Sequence, residues 1–382
     1  DLHSFPTRRS SDLFVRKAIT NSPSEALNQN YHIAFSGGMN KWRYRSSFGY
    51  MDHQGLVKGS AYKRLNGRLN VDAEVKKWLA LSANVNVSYE ERKNIDENNS
   101  YQATVFTAAA ADPITPVYRD KLVDVPEFLK DRIYDSYEPT NPWSKYTGVL
   151  YSNKNNPVAQ VHRAGLNKWH GTATKVGLSG DFKIAPSLTF KSSISIDLIR
   201  DQSDGFTPKY YLDGDEYSSY ATASRFLSNT DYWVFDNYLT YIQKWGEHHV
   251  TAMAGTSAEK NRYEYIGASK QGMINNEKGQ QIIDAGTLNP AARGYYTVNT
   301  LNSYFGRIFY SYANRYLLTA NVRYDGSSQF AAGHRWGIFP SISGGWNFSE
   351  EPFMNGIKKW LSQGKVRVGW GEIGNQTIPG GA

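Results

Sequence analysis

The residue types that most often carry out chemistry are few and scattered in this sequence. There is no cysteine, which excludes a disulfide framework, a thiolate metal site and a cysteine nucleophile. His248 and His249 are adjacent, so on a strand they point to opposite faces and cannot chelate one metal ion together. The nucleophile-elbow, phosphate-loop and zinc-protease motifs are all missing. The sequence therefore predicts a protein that is not an enzyme, with no catalytic residue and no cofactor.

Two acidic stretches are candidate sites. Asp213–Glu216, with the sequence DGDE, resembles half of a calcium site, because hard cations prefer clustered oxygen ligands. The remaining ligand spacing of a calcium loop is missing, so a solvated acidic loop is the better interpretation. Glu350–Glu351 falls in a turn-like stretch and is predicted to be structural. The sequence predicts no metal site.

Aromatic residues in long polar stretches are the candidates for ligand binding. Sugar rings stack on aromatic faces, and tyrosine offers a large, rigid, amphipathic contact. The alternative is that these rings pack the loops against one another or against a partner protein. The candidates are Trp143, Tyr146, Tyr210 and Tyr211.

The elements that position these residues are predicted to be strands with two different faces. From Leu318 to Asp325, apolar and polar residues alternate, as they do in a strand whose faces meet different surroundings. The same alternation recurs in about twelve segments of roughly eight to fifteen residues. The polar face of these strands is predicted to line a lumen. The residues assigned to it are Arg64, Arg68, Asn70, Asn321, Arg323 and Asp325.

Composition and connection lengths favour a membrane barrel over a soluble sandwich. The 382 residues include 27 Tyr, 17 Phe, 10 Trp and 33 Gly, which suits many strands and turns. Short links alternate with long ones at about 92–168, 201–231 and 262–300, as in outer-membrane barrels. Aromatic residues also crowd the strand ends, where membrane barrels carry interfacial girdles. These residues are Trp78, Tyr89, Trp169, Trp233, Trp245, Tyr304, Tyr316, Trp336, Trp346 and Trp370.

Two classes of protein are disfavoured. No run of about 18 apolar residues exists, so a transmembrane helix is excluded. The net charge of +8 comes from lysines and arginines that are spread along the chain near acidic residues. Without a basic cluster on a recognisable reader motif, nucleic acid is not an expected partner.

Specific stretches resemble the SusC/RagA-type TonB-linked outer-membrane proteins. Asn30–Tyr89 resembles their first barrel hairpins, with SGG before a short turn and an R-x-N-x-D strand. ADPITPVYR and NNPVAQV, around Ala111 and Pro157, are similar to the first long loop of the family. Arg323–Met354, followed by Lys365–Gly380, resembles its mid-barrel block. The motifs are long and occur in the same order, and the resemblance covers about residues 21–382.

The resemblance implies an active importer in the outer membrane of a Gram-negative, Bacteroidota-like cell. The implied fold is all-β, an antiparallel transmembrane barrel of about 22 strands whose lumen is plugged. The implied partners are a SusD-like surface lipoprotein, the TonB–ExbB–ExbD complex, outer-membrane lipid and an oligosaccharide or peptide cargo. The implied TonB contact lies in an N-terminal part that this sequence lacks.

The expected organisation is that of a barrel fragment. Residues 1–13 have no strand or helix period and look like translated adapter sequence, a non-native segment, with a targeting segment as the alternative. Residues 14–30 are predicted to lead into the barrel, and residues 31–382 to form about twelve of its strands, without the plug or the last strands. Three alternatives stay open: a soluble β-sandwich that binds glycans, a β-rich glycoside hydrolase and a passive outer-membrane porin.

Overall fold

Twelve long strands form one antiparallel sheet in the computed structural model, and each pairs with its neighbours in chain order. The structure describes residues 19–21, 26–95, 103–110, 156–164, 166–211, 217–274, 281–357 and 360–376. A separate two-stranded hairpin pairs Tyr210–Tyr211 with Tyr217–Ser218. The strands are β1 (Asn28–Met39), β2 (Trp42–Gln54), β3 (Ala61–Lys76), β4 (Leu79–Lys93), β5 (Lys168–Ala185), β6 (Leu188–Thr207), β7 (Tyr210–Tyr211), β8 (Tyr217–Ser218), β9 (Thr222–Trp245), β10 (His248–Gln271), β11 (Leu288–Tyr312), β12 (Tyr316–Ser327), β13 (Trp336–Trp346) and β14 (Val366–Gly371).

The register gives the sheet one apolar and one polar face. On β12, Ala320 lies opposite Ile308 of β11 and Ile342 of β13, so apolar residues meet across the strands. Asn321, on the other face, lies opposite Ser341 of β13. The apolar face is open: Ile308 is 54% and Ile342 is 51% exposed. Within the described residues no second sheet covers this face, so the structure does not support the sandwich alternative, and the all-β barrel-type prediction is confirmed.

Two rows of aromatic residues bound the apolar face. Trp42 and Tyr50 lie eight residues apart on β2, and Tyr316 and Tyr324 lie eight apart on β12. Eight residues span about 26 Å of strand, or about 20 Å across a bilayer at a tilt near 40°. Rings stack along the rows, with centroids 6.4 Å apart for Tyr31–Tyr50 and 4.7 Å for Tyr324–Trp336. This spacing is typical of the interfacial girdles of membrane barrels.

One of the predicted girdle aromatics faces the other way. Trp169 lies opposite Arg92 in the β4–β5 register, and Arg92 belongs to the polar face. The Arg92 guanidinium lies over the Trp169 ring, 4.3 Å from its centroid. Strand position alone does not determine the face of a residue, which depends on the parity of the register.

The connections alternate between two ends of the sheet, which we call the turn end, where β1 meets β2, and the loop end, where β2 meets β3. Two of the predicted loops are too long. β6 continues to Thr207 and β9 starts at Thr222, so the connection predicted at 201–231 is much shorter. β10 and β11 likewise reduce the connection predicted at 262–300 to residues 272–287. The prediction ended these strands where apolar alternation stops, but a ladder of backbone hydrogen bonds needs no apolar face. β4 ends at Lys93 and β5 starts at Lys168, and the long loop predicted at 92–168 stays a prediction, because most of its residues lie outside the described ranges.

A buried apolar core lies at the loop end, and we call it the loop-end platform. Its first half joins the segment before β1, the β2–β3 connection and two short helices, Thr104–Ala110 and Pro157–Ala164. Its second half joins the β6–β9 and β10–β11 connections around Phe206 and Met273. Leu166 packs against both halves, so the two are continuous. The platform packs four connections against one another, three of which the sequence predicted as separate long loops.

The helix Pro157–Ala164 was not predicted, although its start carries a clear signal. Asn156 accepts hydrogen bonds at its Oδ1 from the backbone N–H groups of Val158 (3.0 Å) and Ala159 (3.2 Å). Asparagine at the cap, with proline in the first turn, is a favoured helix start. Thr107 ties the two helices together through a 2.9 Å hydrogen bond between its hydroxyl and the Gln160 side chain.

Several predictions concern residues outside the described ranges. Residues 1–18, which include the predicted adapter segment, are among them, as is the DGDE stretch at 213–216. β1 begins at Asn28, slightly before the predicted barrel start at residue 31. Among the described residues, no helix is long and apolar enough to cross a membrane.

Candidate functional site

The polar face of β1–β4 forms a broad, charged recess near the turn end. Its volume is about 570 Å³, and its walls are hydrogen-bonding side chains together with two guanidinium groups. Arg68 lies opposite Ser47 of β2, and Asn70 lies opposite Arg45. Alternation along neighbouring strands therefore gathers these side chains without any loop. The lining residues are His32, Arg45, Ser47, Arg68, Asn70, Asp72, Ser82, Ala83 and Asn84.

Arg64 belongs to a charged belt nearer the loop end of the same face. Its Nε lies 3.6 Å from Glu90 of β4, and Glu90 also pairs with Arg92 at 2.7 Å. Arg92 in turn covers the rings of Trp169 and Tyr62. The belt puts two guanidinium groups around one carboxylate, and a planar guanidinium also stacks well on aromatic faces.

The second predicted group forms its own network on β12. Arg323 donates to both Asp325 oxygens at 2.7 and 2.9 Å, and to the hydroxyl of Ser303 on β11 at 2.7 Å. Asn321 donates to the Ser341 hydroxyl at 3.0 Å. The structure therefore places all six predicted residues on the polar face. It does not bring them together, because β3 and β12 lie far apart in the sheet order.

Sequence reasoning missed a polar network in the middle of the sheet. Lys175 of β5 pairs with Asp197 of β6 at 2.7 Å, and the two lie directly opposite each other. Tyr232 of β9 donates a hydrogen bond to Glu259 of β10 at 3.1 Å. The signal that could have found them is a charged residue on the polar side of an alternating strand, the same signal that identified Arg323.

A second cluster lies at the turn end of the sheet, around the Glu350–Glu351 stretch that was predicted to be structural. Glu351 belongs to the β13–β14 connection and is buried, and it accepts hydrogen bonds from Tyr316 (2.7 Å), Trp346 (3.0 Å) and Arg315 (2.8 Å). The hydrogen bonds from the Tyr316 hydroxyl and the Trp346 indole, followed by that of Arg315, lower the pKa of Glu351 below its ordinary value. We call these four residues the turn-end clasp.

Of the four aromatic residues predicted to contact a ligand, two lie among the described residues. Trp143 and Tyr146 lie outside the described residues. Tyr210 and Tyr211 form the short strand β7, which pairs with β8 at the loop end, so their backbone position is on the side from which the long connections project. Among the described residues, no group of three or more His, Cys, Asp or Glu residues is arranged to hold a metal ion.

Comparison with known proteins gives consistent relatives along nearly the whole chain. No family model matches. The TonB-dependent receptor SusC of Bacteroides thetaiotaomicron is 31% identical over 360 residues, which are 92% of this chain and 34% of that protein. The TonB-dependent receptor P39 of Formosa agariphila is 28% identical over 374 residues, covering 96% of this chain and 33% of that protein. The chain spans about one third of the length of these curated relatives.

Solved structures show the same fold. The structure of the RagAB peptide transporter matches 95% of this chain and 38% of its own chain, with a TM-score of 0.74 and 20% identity. The closed-closed state of the RagAB peptide importer matches with a TM-score of 0.70 over 94% of this chain and 37% of its own. The relatives are named as receptors and the fold neighbours as a transporter and an importer. The chain belongs to the SusC/RagA-like family of TonB-dependent receptors, and it is a segment of their β-barrel.

Proposed function

We propose that this chain forms part of the wall of a TonB-dependent outer-membrane importer that takes up oligosaccharides or peptides. The observation that carries the proposal is the twelve-stranded meander with an exposed apolar face between two aromatic rows. Such a face is stable when lipid covers it, and a polar face opposite it suits a water-filled or plugged lumen. The chain has no catalytic role in this proposal.

The proposed partners follow from the family. A SusD-like surface lipoprotein works with the receptor at its loop end, and the TonB–ExbB–ExbD complex supplies energy from the inner membrane. RagAB, whose structure shares this fold, is a peptide transporter, which supports peptides beside oligosaccharides as the substrate class. The proposed location is the outer membrane of a Gram-negative, Bacteroidota-like cell.

A passive porin is the competing function, because a polar lumen also suits diffusion. Uptake of labelled oligosaccharides and peptides by cells that carry the whole receptor separates the two. An importer loses uptake when TonB is deleted, whereas a porin keeps it. Uptake that is unchanged without TonB, with normal receptor levels in the outer membrane, would refute the proposal in favour of the porin.

The six residues predicted for the polar face are proposed to line the lumen. A cysteine at Asn321 is then accessible to a small water-soluble thiol reagent but not to a lipid-soluble one. A cysteine at Ala320, its neighbour on the apolar face, gives the reverse pattern. Since the natural chain has no cysteine, no background labelling arises from this segment. Equal labelling of both positions would contradict the assignment of faces.

The aromatic residues Trp143, Tyr146, Tyr210 and Tyr211 are proposed to contact cargo by ring stacking. Alanine at Trp143 or Tyr210 is expected to weaken cargo capture by roughly 1 kcal/mol, the usual contribution of an aromatic contact beyond area burial. Tyr296, an exposed ring on the apolar side of β11, serves as the matched control. Unchanged affinity of the Tyr210→Ala receptor, with normal surface display, would remove Tyr210 from the binding surface.

A further inference from the structure

The charged residues of the apolar face occupy one zone only. Between the two aromatic rows, the strands carry no Asp, Glu, Lys or Arg on this face in the described residues. Charges appear beyond the aromatic row nearer the loop end, which we call the outer row; the apolar band is the part of the face between the two rows. The charges that β5, β6, β9 and β10 carry on this face from the level of Trp233 to the level of Arg225 form a patch. Five of its residues are cations and three are acids, so it carries a net charge of about +2. Its members are Lys168, Arg200, Arg225, Lys260, Arg262, Asp204, Asp231 and Glu264.

The arrangement of the patch is set by strand register. Lys260 of β10 lies directly opposite Trp233, an aromatic residue of the outer row, and Arg262 lies opposite Asp231. Asp231 also accepts a hydrogen bond from Arg200 of β6 at 2.5 Å. Arg262 itself pairs with Glu264 of the same strand at 3.4 Å. Both guanidinium groups thus have a carboxylate neighbour, and Lys260 lies beside them at the edge of the apolar band.

A second tier of the same patch lies farther from the band. Asp204 of β6 lies opposite both Lys168 of β5 and Arg225 of β9, and it pairs with Arg225 at 2.5 Å. A recess of about 290 Å³ separates this tier from Phe206 and Ile283 of the loop-end platform. From Trp233 to Arg225 the patch follows β9 for eight residues, or about 26 Å of strand.

We infer that this basic patch binds a phosphorylated glycolipid of the outer leaflet, with phosphate groups beside Lys260, Arg200 and Arg262 and sugars rising toward the recess. Cations at the edge of a membrane attract anionic headgroups, and guanidinium groups bind phosphate in bidentate fashion. The patch extends far beyond the edge of the apolar band, which favours an oligosaccharide headgroup. A simple phospholipid headgroup would reach only the charges nearest the band, those of Lys260, Arg200 and Arg262. The inference rests on the membrane placement in the proposed function.

The test uses the whole receptor in detergent, with native mass spectrometry against three probes. These are lipid A with its core oligosaccharide, the same glycolipid after dephosphorylation, and phosphatidylglycerol. The natural receptor is expected to retain the phosphorylated glycolipid in preference to both others. The triple variant R200Q/K260Q/R262Q is expected to lose about a hundredfold in affinity for it, or about fivefold for each cation. Equal retention of phosphatidylglycerol, or unchanged binding by the variant, would overturn the inference.

A matched control neutralises cations of the same strands on the polar face. Lys175→Gln with Lys191→Gln removes two ion-paired cations from β5 and β6, at positions that face away from lipid. This variant is expected to bind the glycolipid normally, and a loss equal to that of the triple variant would contradict a local site. If the triple variant does not fold, as judged by heat-modifiable gel mobility, Lys260→Gln alone is used, with an expected loss of about threefold to fivefold.

Two outcomes separate this inference from the proposed function. A receptor that does not reach the outer membrane refutes both. A receptor that reaches the membrane and imports cargo with TonB, but does not distinguish the phosphorylated glycolipid from the other probes, refutes the inference alone.

Discussion

The loop-end platform and the twelve-stranded sheet, which we call the wall, use apolar residues in opposite ways. In the platform, Ile19 and Phe206 are 2% and 4% exposed and pack against side chains from distant parts of the chain. In the wall, Ile33 is 53% exposed although its strand is fully paired with β2. The platform is a small water-excluding core, while the wall presents its apolar residues to the surroundings.

The difference shows which interactions order each region. The wall is held by backbone hydrogen bonds along long registers, and in the proposed function lipid covers its apolar side chains. The platform lies where strands end and backbone ladders stop, so it depends on side-chain packing as an ordinary soluble core does. The two regions should therefore respond differently to the same kind of substitution.

The largest expected effect is in the platform. Phe206→Ala removes a buried ring that packs against Ala221, Ala223 and Met273, and such truncations cost about 3–5 kcal/mol. We expect the β6–β9 and β10–β11 connections to exchange amide hydrogens faster in the whole receptor, while the wall remains protected. Phe35→Ala, on the exposed face of β1, is the control. Equal effects of the two substitutions would remove the distinction between the regions.

The wall should respond most strongly to charge. Ile342 lies opposite Ala320, midway between the two aromatic rows, so Ile342→Arg places a cation near the bilayer midplane. The expected cost is about 2–4 kcal/mol in folding into lipid vesicles, measured by urea titration. Ser343→Arg, at the neighbouring position on the polar face, should cost much less. A similar cost for both would mean that lipid does not cover the apolar face.

Close packing inside the wall gives a smaller expected effect. Gly255 of β10 lies between Tyr238 and Phe305, whose rings are 6.4 Å apart, and a Cβ there would overlap Tyr238 and the Asn237 carbonyl. Gly255→Ala should therefore destabilise the receptor by about 1–3 kcal/mol in the same titration. At Gly306, on the neighbouring strand, a Cβ would approach Val322 at only 3.6 Å, so Gly306→Ala should be nearly neutral. Equal costs at the two glycines would show that close packing does not decide the outcome.

The wall could be predicted from the sequence much better than the platform. Alternation around Ile342 and Asn321 identifies both faces, because a strand has a period of two wherever it occurs. The strand ends at Thr207 and Gln271 were missed, since the extensions carry charges on the outward face and lose the apolar signal. The polar networks of the wall could not be predicted without the strand register, because the register decides which charged residues lie opposite each other.

The platform could not be derived from local pattern. Ile19 and Val158 are far apart in the chain and meet only because the strands bring their connections to one end. Local signals do exist, such as Asn156 before Pro157 at a helix start. They locate a helix without specifying what it packs against, and that depends on the ends of the neighbouring strands.

The turn-end clasp refines the comparison between platform and wall, because there a buried side chain orders the end of the wall itself. Glu351 joins Arg315 and Tyr316, at the start of β12, to Trp346, at the end of β13. The pKa of Glu351 is lowered in the folded protein, so the clasp contributes its full stability above the ordinary value of 4.5. That contribution is lost as the pH falls below 4.5 through the lowered pKa, because the protonated carboxyl pairs poorly with Arg315.

We therefore expect amide exchange near Asn347 and Glu351 to be constant from about pH 7 to about pH 5, after correction for intrinsic rates, and to quicken at lower pH. The backbone N–H of Asn347, which donates to the Arg315 carbonyl at 2.8 Å, is a direct probe. Glu351→Gln should show faster exchange near neutral pH and no further change in acid, because the amide cannot titrate. The platform amides of the same samples serve as the internal reference. If the natural receptor and the Glu351→Gln variant quicken in parallel below pH 4.5, another carboxylate controls this end of the wall, and the clasp is packing rather than charge.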